Sequence, residues 1–363
     1  MKKVLISRYG AYGDIIHCSH LPRLLKENGY DYVAFETNIK GTQLLSCNPY
    51  IDEIIFFEPS QNIEAYTDLA MMERHWKEIS MGYDLFINLF RSLEFGCVAM
   101  EEMPEYYMHQ KARDWMGEIS FYDQTTKWAG FPELMGKYTG EVWYTTEEKE
   151  TVEKYMEKFK DKFVVMMNLT GTTIHKVLLD YKEYIEYILD KYPDAHIITT
   201  GDDSCKDMVE ESDRVTTIAG KFPFRQAVHM IRYVDCLLTM ESGLGVAGSM
   251  WGTPSIQIMT SSSLINHPNN VKGDFSIQSP AKCSPCSKGP YKFLGCPHKD
   301  GYPMCVHLDT QIVKGKIDET YRAYKETRFP IKDRLSCENV NGMSLVQDTA
   351  SIIGQGNGAQ PRG

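Results

Sequence analysis

Short apolar runs separated by polar, glycine-bearing turns recur along this chain. Val4 to Ser7 is one such run, and Phe163 to Leu169 and Val234 to Met240 are two more. Continuous apolar runs of this length are typical of strands buried on both faces of a parallel sheet. Amphipathic segments follow the runs, so the order β-α-β repeats. The pattern therefore predicts an α/β protein built from doubly wound parallel sheets.

The repeat occurs in two blocks. In the first block, the glycine turn at residues 8–14 precedes an amphipathic segment, Ile15 to Asn28, which predicts one continuous helix. A charged helical segment at residues 146–160 separates this block from the second, which opens at Phe163. Two facing units of this kind form a cleft, a common place for the site of a two-substrate enzyme.

The clearest βαβ unit lies between residues 233 and 260. Its first strand ends at Glu241, and the turn that follows leads into a helix of small residues, which Gly252-Thr253-Pro254 ends. Ligands bind at this edge of open parallel sheets, and glycines with free helix N–H groups favour phosphate. We predict a nucleotide site in which Glu241 holds a ribose diol. The alternative is a plain strand–helix turn with a solvated glutamate.

Charge and composition narrow the class of protein. The chain has 363 residues, of which 42% are hydrophobic and 24% charged, and its net charge is -10. These values suit a globular protein and argue against a general electrostatic attraction to nucleic acid. No apolar run approaches the ~20 residues of a membrane helix, and the N-terminal run is too short for a signal peptide. We expect a cytoplasmic protein.

Four of the 10 cysteines cluster in one loop, with the spacing C-x2-C-x9-C-x8-C. The loop is rich in Gly, Pro and Lys and has little core of its own. Four thiolates suit a tetrahedral metal, so we predict a structural zinc or iron site and no catalytic metal. Disulfides or free thiols are the alternatives. The proposed metal ligands are Cys283, Cys286, Cys296 and Cys305.

Two charged residues stand at the start of predicted helices or loops. Asp14 begins the first helix, where it serves either as a general base or as a helix cap. Lys176 follows a glycine–threonine loop, where it either neutralises phosphates or is a surface lysine. The remaining candidates are Thr172, Thr173, Gly201, Ser242, Gly243 and Leu244 for the donor, and Arg8, Gly13 and His17 for acceptor or phosphate.

Taken in order, these motifs resemble the heptosyltransferase family of inverting glycosyltransferases, family 9, over about residues 1–315. The motifs are Val4 to Arg8 with Gly13 to Ile15, Asn48 to Ile54, Lys176, Gly201-Asp202, Ala219 to Lys221, Glu241 to Ala247, and Gly252 to Pro254. Two positions depart from the family: Glu241 replaces an aspartate, and Val246 replaces a histidine.

The resemblance implies the GT-B fold and an enzyme that transfers a heptose-like sugar. The donor would be a nucleotide sugar, with ADP favoured, and the acceptor a hydroxyl of a glycan, protein or other polymer. Asp14 would be the base, and some members that glycosylate proteins carry a four-cysteine iron site. The alternatives are transfer to a modified nucleic-acid base, a nucleotide-sugar epimerase of the same fold, and an inactive binding protein.

The pattern of elements and this resemblance together give the predicted domain organisation, and the polar composition of the C-terminal residues predicts the tail. The divisions are an acceptor-side domain at residues 1–145, a nucleotide-sugar-binding domain at 146–309 that includes the Cys-rich loop 280–306, a C-terminal helix at 310–335 that packs back onto the first domain, and a disordered tail at 336–363.

Overall fold

Two parallel β-sheets with flanking helices make up the structure, a computed structural model. This confirms the predicted fold class. The structure describes residues 1–58, 69–90, 119–267, 274–285 and 301–327. The tail predicted to be disordered, 336–363, lies outside these residues. No helix in the described ranges is long and apolar enough to cross a membrane.

The first sheet has four parallel strands in the order β3-β2-β1-β4. The chain therefore leaves β1 toward one side and returns to the other, which makes a topological switch point between β1 and β4. Its elements are β1 (Lys3–Ser7), α1 (Tyr12–Ile16), α2 (Leu21–Glu27), β2 (Tyr32–Thr37), α3 (Ile39–Leu45), β3 (Glu53–Phe56), α4 (Leu69–Ile79), β4 (Leu85–Asn88) and α5 (Phe121–Trp128).

The second sheet has six parallel strands in the order β10-β9-β8-β5-β6-β7. Its switch point lies between β5 and β8, and both strands are buried along their whole length. Its elements are α6 (Thr146–Met156), β5 (Phe163–Asn168), α7 (Tyr181–Lys191), β6 (Ala195–Thr200), β7 (Val215–Thr217), α8 (Phe224–Met230), β8 (Cys236–Met240), α9 (Gly243–Trp251), β9 (Ser255–Met259), β10 (Ile277–Gln278) and α10 (Thr310–Thr327).

The prediction of one helix from Ile15 to Asn28 is wrong, because the segment is divided into α1 and α2. A turn at residues 17–20 separates them. Pro22 lies in the first turn of α2, where its missing N–H costs nothing, whereas inside a continuous helix it would remove a hydrogen bond. The break leaves α1 only five residues long and lets His17 turn inward.

The C-terminal helix α10 packs on the second sheet, not back on the first domain as expected. Val313, Ile317 and Tyr324 join the buried cluster of that sheet. Lys325 Nζ lies 2.7 Å from Asp194 Oδ2 in an ion pair. The apolar stripe of α10 is therefore covered by the nearest sheet in sequence, and the described part of the helix makes no return to the N-terminal domain.

One continuous apolar cluster joins the two sheets. It includes Val4 and Ile15 from the first domain and Leu237, Leu244 and Ala247 from the second. The helices that follow the two switch points, α1 and α9, are packed against each other. The carboxyl ends of both sheets therefore meet at one place.

Candidate active site

The turns that begin α1 and α9 lie in contact. A Cβ atom added to Gly13 would lie 3.4 Å from the Cα of Gly243, and one added to Gly243 would lie 3.2 Å from the N of Gly13. Beside them, the rings of Tyr12 and Phe224 stack with centroids 3.9 Å apart. The approach is tightest at Gly243, where an added side chain would need its neighbours to shift, whereas at Gly13 the added atom would only touch them.

Asp14 occupies the third position of α1 and is about one-third exposed, at 32% of its side-chain area. Its Oδ2 accepts a hydrogen bond from the Ala11 N–H at 2.8 Å. Its Oδ1 lies 3.6 Å from Nη2 of the fully buried Arg8. Asp14 therefore takes part in a local cap, and it also presents a carboxylate oxygen to solvent with a cation behind it.

Arg8 and His17 are buried polar residues in the same part of the site as Asp14. Arg8 donates from Nη1 to the Leu89 carbonyl at 2.8 Å, so it joins the loops after β1 and β4 across the first switch point. His17 is buried, and its ring packs edge-on against Phe121 and Tyr122. Burial lowers the pKa of His17 well below its usual value, with further lowering by His267 and Arg8.

Glu241 ends β8 and is almost completely buried, with 4% of its area exposed. Its Oε2 accepts hydrogen bonds from three consecutive N–H groups, those of Thr260, Ser261 and Ser262, at 3.0–3.1 Å. The Ser261 hydroxyl donates to Oε1. The carboxylate therefore organises the loop after β9, which leaves it little capacity to bind a ribose diol as predicted.

The pKa of Glu241 reflects these contacts. Burial raises it, but Lys176, the Ser261 hydroxyl and the Ser262 amide together bring it down to about 2. Lys176 Nζ lies 3.8 Å from Glu241 Oε1 across the second switch point, between β5 and β8. Glu241 is thus a permanently charged anchor for both a loop and a lysine.

Lys176 closes the 3-10 turn Ile174–Lys176 in the loop after β5. About a quarter of its side chain, 26%, remains exposed, so its ammonium group faces both Glu241 and the opening. Gly171 leaves room for it, since a Cβ there would lie 2.7 Å from the Lys176 Cβ. Thr172 is exposed and Thr173 half-buried in the same loop.

The other predicted donor residues lie on the same edge of the second sheet. Ser242 caps α9 through its hydroxyl, which accepts from the Gly245 N–H at 3.2 Å. Leu244 points its side chain into the core, so only its backbone can contact a ligand. Gly201 follows β6 with φ +159°, and a Cβ there would lie 2.4 Å from the Cys205 sulfur. Val246 is buried in the core.

His267 was missed by the sequence analysis. It ends the 3-10 turn Leu264–Asn266 in the loop after β9, and its ring packs edge-on against Phe121 at 4.7 Å between centroids. Burial and the nearby Lys176 lower its pKa to about 4, although Glu241 and Asp14 act to raise the pKa. This imidazole is therefore neutral and lies within electrostatic range of the predicted groups of both domains.

Arg225 was missed as well. From α8 in the second domain, it donates two hydrogen bonds to the Glu148 carboxylate at 2.8 and 2.7 Å. The same guanidinium donates to the carbonyls of Gln43, Leu44 and Ser46 at the end of α3, and to that of Trp143. It is 7% exposed, so this side chain is a buried clamp between the domains.

The predicted zinc or iron site is wrong for the part of the chain that the structure describes. Within it, no group of three or more His, Cys, Asp or Glu side chains is arranged to hold a metal. Cys305 is buried in the core of the second domain, whereas Cys283 is exposed. Cys286 and Cys296 lie outside the described residues. Cys305 is therefore part of the core of the second domain.

Two Rossmann-like sheets whose switch points face each other define a protein of the GT-B fold. No protein-family model and no curated protein sequence matches the chain. Solved structures do match it. One is a family 9 glycosyltransferase from Veillonella parvula, at 14% identity and a TM-score of 0.61, covering 88% of this chain and 98% of that one.

Two further matches come from E. coli. ADP-heptose lipopolysaccharide heptosyltransferase II matches at 14% identity with a TM-score of 0.59, covering 90% of this chain and 100% of that one. The iron-containing dodecameric heptosyltransferase TibC matches at 12% identity with a TM-score of 0.58, covering 90% and 79%. The fold implied by the motif order is thereby confirmed as that of the heptosyltransferase structures.

Proposed function

We propose that this protein is an inverting glycosyltransferase that moves a sugar from a nucleoside-diphosphate donor to an acceptor hydroxyl. The observation that carries the proposal is the contact between the two switch points, where the Gly13 turn touches the Gly243 turn. Ligands of open parallel sheets bind at such points. Here, one site combines a carboxylate from the first sheet with a lysine and a helix N-terminus from the second.

Asp14 is the proposed base. Inverting transfer needs one group that removes the proton of the acceptor hydroxyl as its oxygen attacks the anomeric carbon. The carboxylate is accessible, and the Arg8 guanidinium lies 3.6 Å behind it. Its fixed contact with the Ala11 N–H holds the side chain in one direction. Asp14 thus faces the cleft as a base for the acceptor.

The proposed diphosphate site lies opposite. The first N–H groups of α9, at Gly243 and Leu244, have no partner within the helix and point to its N-terminal side. Lys176 adds a cation that Glu241 holds near that end of β8. Together they would stabilise the negative charge that develops on the leaving diphosphate. Thr172 and Thr173 supply hydroxyls beside it.

An ADP-linked heptose is the first donor to test. Heptosyltransferase II and TibC carry that donor in their names or complexes. Val246 and Glu241 differ from the residues that the family usually has there, so other nucleotide sugars belong in the same panel. The proposed acceptor is a hydroxyl of a glycan, a protein or another polymer, and the proposed compartment is the cytoplasm.

The test has two steps. First, thermal unfolding is measured with nucleoside diphosphates and nucleotide sugars, because a ligand that binds the folded state raises the melting temperature. Second, Asp14→Asn is compared with the wild type. The variant should retain the ligand-induced shift but lose about 100-fold or more in transfer, the range expected for removal of a general base.

Three results would contradict the proposal. If no nucleotide stabilises the wild type, the donor site is wrong. If Asp14→Asn transfers sugar at the wild-type rate, the base is wrong. If the wild type converts the donor to its epimer in the absence of any acceptor, the chain is an epimerase instead.

A further inference from the structure

The loop after β9 crosses between the two domains. We call residues 260–267 the bridging loop. Glu241 of the second domain holds its first three residues through their N–H groups. At the other end, Asn266 Nδ2 donates to the carbonyl of Ile119 in the first domain at 3.0 Å. One end of the loop is thus hydrogen-bonded to the second domain, and the other end is hydrogen-bonded to the first.

The bridging loop places His267 against the first domain. Its ring centroid lies 4.7 Å from that of Phe121 and 5.1 Å from that of His17. His267 is nevertheless only half-buried, whereas His17 beneath it is 2% exposed. His17 and Phe121 therefore pack against the His267 ring, and part of the ring surface stays exposed.

The groups around His267 come from both halves of the proposed site. Asp14 belongs to the acceptor side, and Lys176 and Glu241 belong to the diphosphate side; all three act electrostatically on the imidazole. The space between a base and a departing diphosphate is where the transferred sugar must lie. Among the described residues, none hydrogen-bonds to the ring nitrogens of His267.

We propose that His267 hydrogen-bonds a hydroxyl of the sugar that is being transferred, and so helps the site to recognise that sugar. This inference rests on the proposed function. A neutral imidazole has one N–H donor and one nitrogen acceptor, which matches a hydroxyl. A diphosphate is matched better by the cation of Lys176 and by backbone N–H groups. His267 is therefore assigned to the sugar and not to the phosphates.

The experiment compares two ligands and three proteins. ADP and ADP-heptose are titrated calorimetrically into the wild type, His267→Phe and His267→Gln. Phenylalanine retains a ring against Phe121 and His17 but cannot hydrogen-bond, whereas glutamine retains a donor and an acceptor. Melting temperatures without ligand show that each variant is folded.

We expect His267→Phe to bind ADP-heptose about tenfold more weakly, the effect of one lost hydrogen bond, while its affinity for ADP stays within about twofold. His267→Gln should recover part of the loss. An equal loss for both ligands would mean that the ring only supports the loop, and no loss would mean that it does not contact the sugar; either result overturns the inference.

The proposed function fails in a different way. If the wild type binds neither ADP nor ADP-heptose, then ADP-heptose is refuted as the donor, and if it binds no nucleotide of the panel above, then the donor site itself is refuted. If the wild type binds both compounds and His267→Phe retains the full preference for ADP-heptose, then only the assignment of His267 is wrong.

Discussion

Glu241→Gln tests whether this carboxylate anchors the bridging loop or is available to bind a ligand. The wild-type Oε2 accepts three backbone N–H bonds. The amide oxygen of a glutamine can occupy the same position and accept them, but it has no charge to strengthen these bonds or to pair with Lys176. If Glu241 is an anchor, the substitution destabilises the protein even when no nucleotide is present.

The magnitude follows from the pKa. A fall from the usual 4.5 to about 2 corresponds to about 3 kcal/mol of stability at neutral pH. Because the folded-state pKa is lowered, this stability is present above about pH 4.5 and is lost as the pH falls toward 2. At pH 7, the free energy of unfolding of Glu241→Gln should therefore be about 3 kcal/mol lower than that of the wild type. This difference, the gap, should shrink to roughly half by pH 3.

Urea unfolding, followed by tryptophan fluorescence at steps from pH 7 to pH 3, measures the gap. Glu183→Gln is the matched control, since Glu183 pairs with Lys314 at 2.6 Å but is exposed, and solvent screens such pairs. The control should change the stability little. If Glu241→Gln is as stable as the wild type but loses nucleotide affinity, then Glu241 faces the ligand and the anchor role is refuted.

Two further predictions concern the clamp and the base. Arg225→Met should lower the free energy of unfolding by about 3–5 kcal/mol in urea, because it leaves Glu148 without its buried partner. In the double variant Arg225→Met/Glu148→Gln, the two losses should be less than additive. Full additivity would show that the pair is not coupled. Gly10→Ala should lower transfer roughly 10–100-fold, because its Cβ would lie 2.5 Å from Asp14 Oδ2. Gly29→Ala shares the positive φ but meets no atom within 4 Å, so transfer should be unchanged; equal losses in both variants would contradict the reasoning.

The order of elements was predictable because it is encoded locally. Apolar runs such as Phe163 to Leu169 are long enough to predict buried strands, and the glycine turns indicate where the strands end. The capping of α9 by Ser242 and its end at Gly252, which has φ +66°, follow from residue chemistry at fixed offsets. The edge of the sheet where Lys176 and Glu241 meet was therefore predictable.

Long-range partners were not predictable in this way. Nothing near Glu241 in sequence shows that its hydrogen-bond donors lie about twenty residues later, at Thr260 to Ser262. Arg225 and His267 act on the opposite domain, so their roles depend on how the two sheets pack. A search for polar residues in the loop after every strand would have included His267, since that loop leaves the same edge of the sheet.

The Arg225 clamp also bears on how firmly the two halves are held together. On its side of the boundary, one guanidinium joins α3, Trp143 and Glu148 by charged hydrogen bonds. On the side of the bridging loop, the contacts described above are neutral: Asn266 donates to the Ile119 carbonyl, and the His267 ring packs against Phe121 and His17. The charged contacts of Arg225 therefore hold the two halves more firmly than these neutral contacts do. The geometry of the cleft thus depends on a side chain that is not itself part of the proposed site.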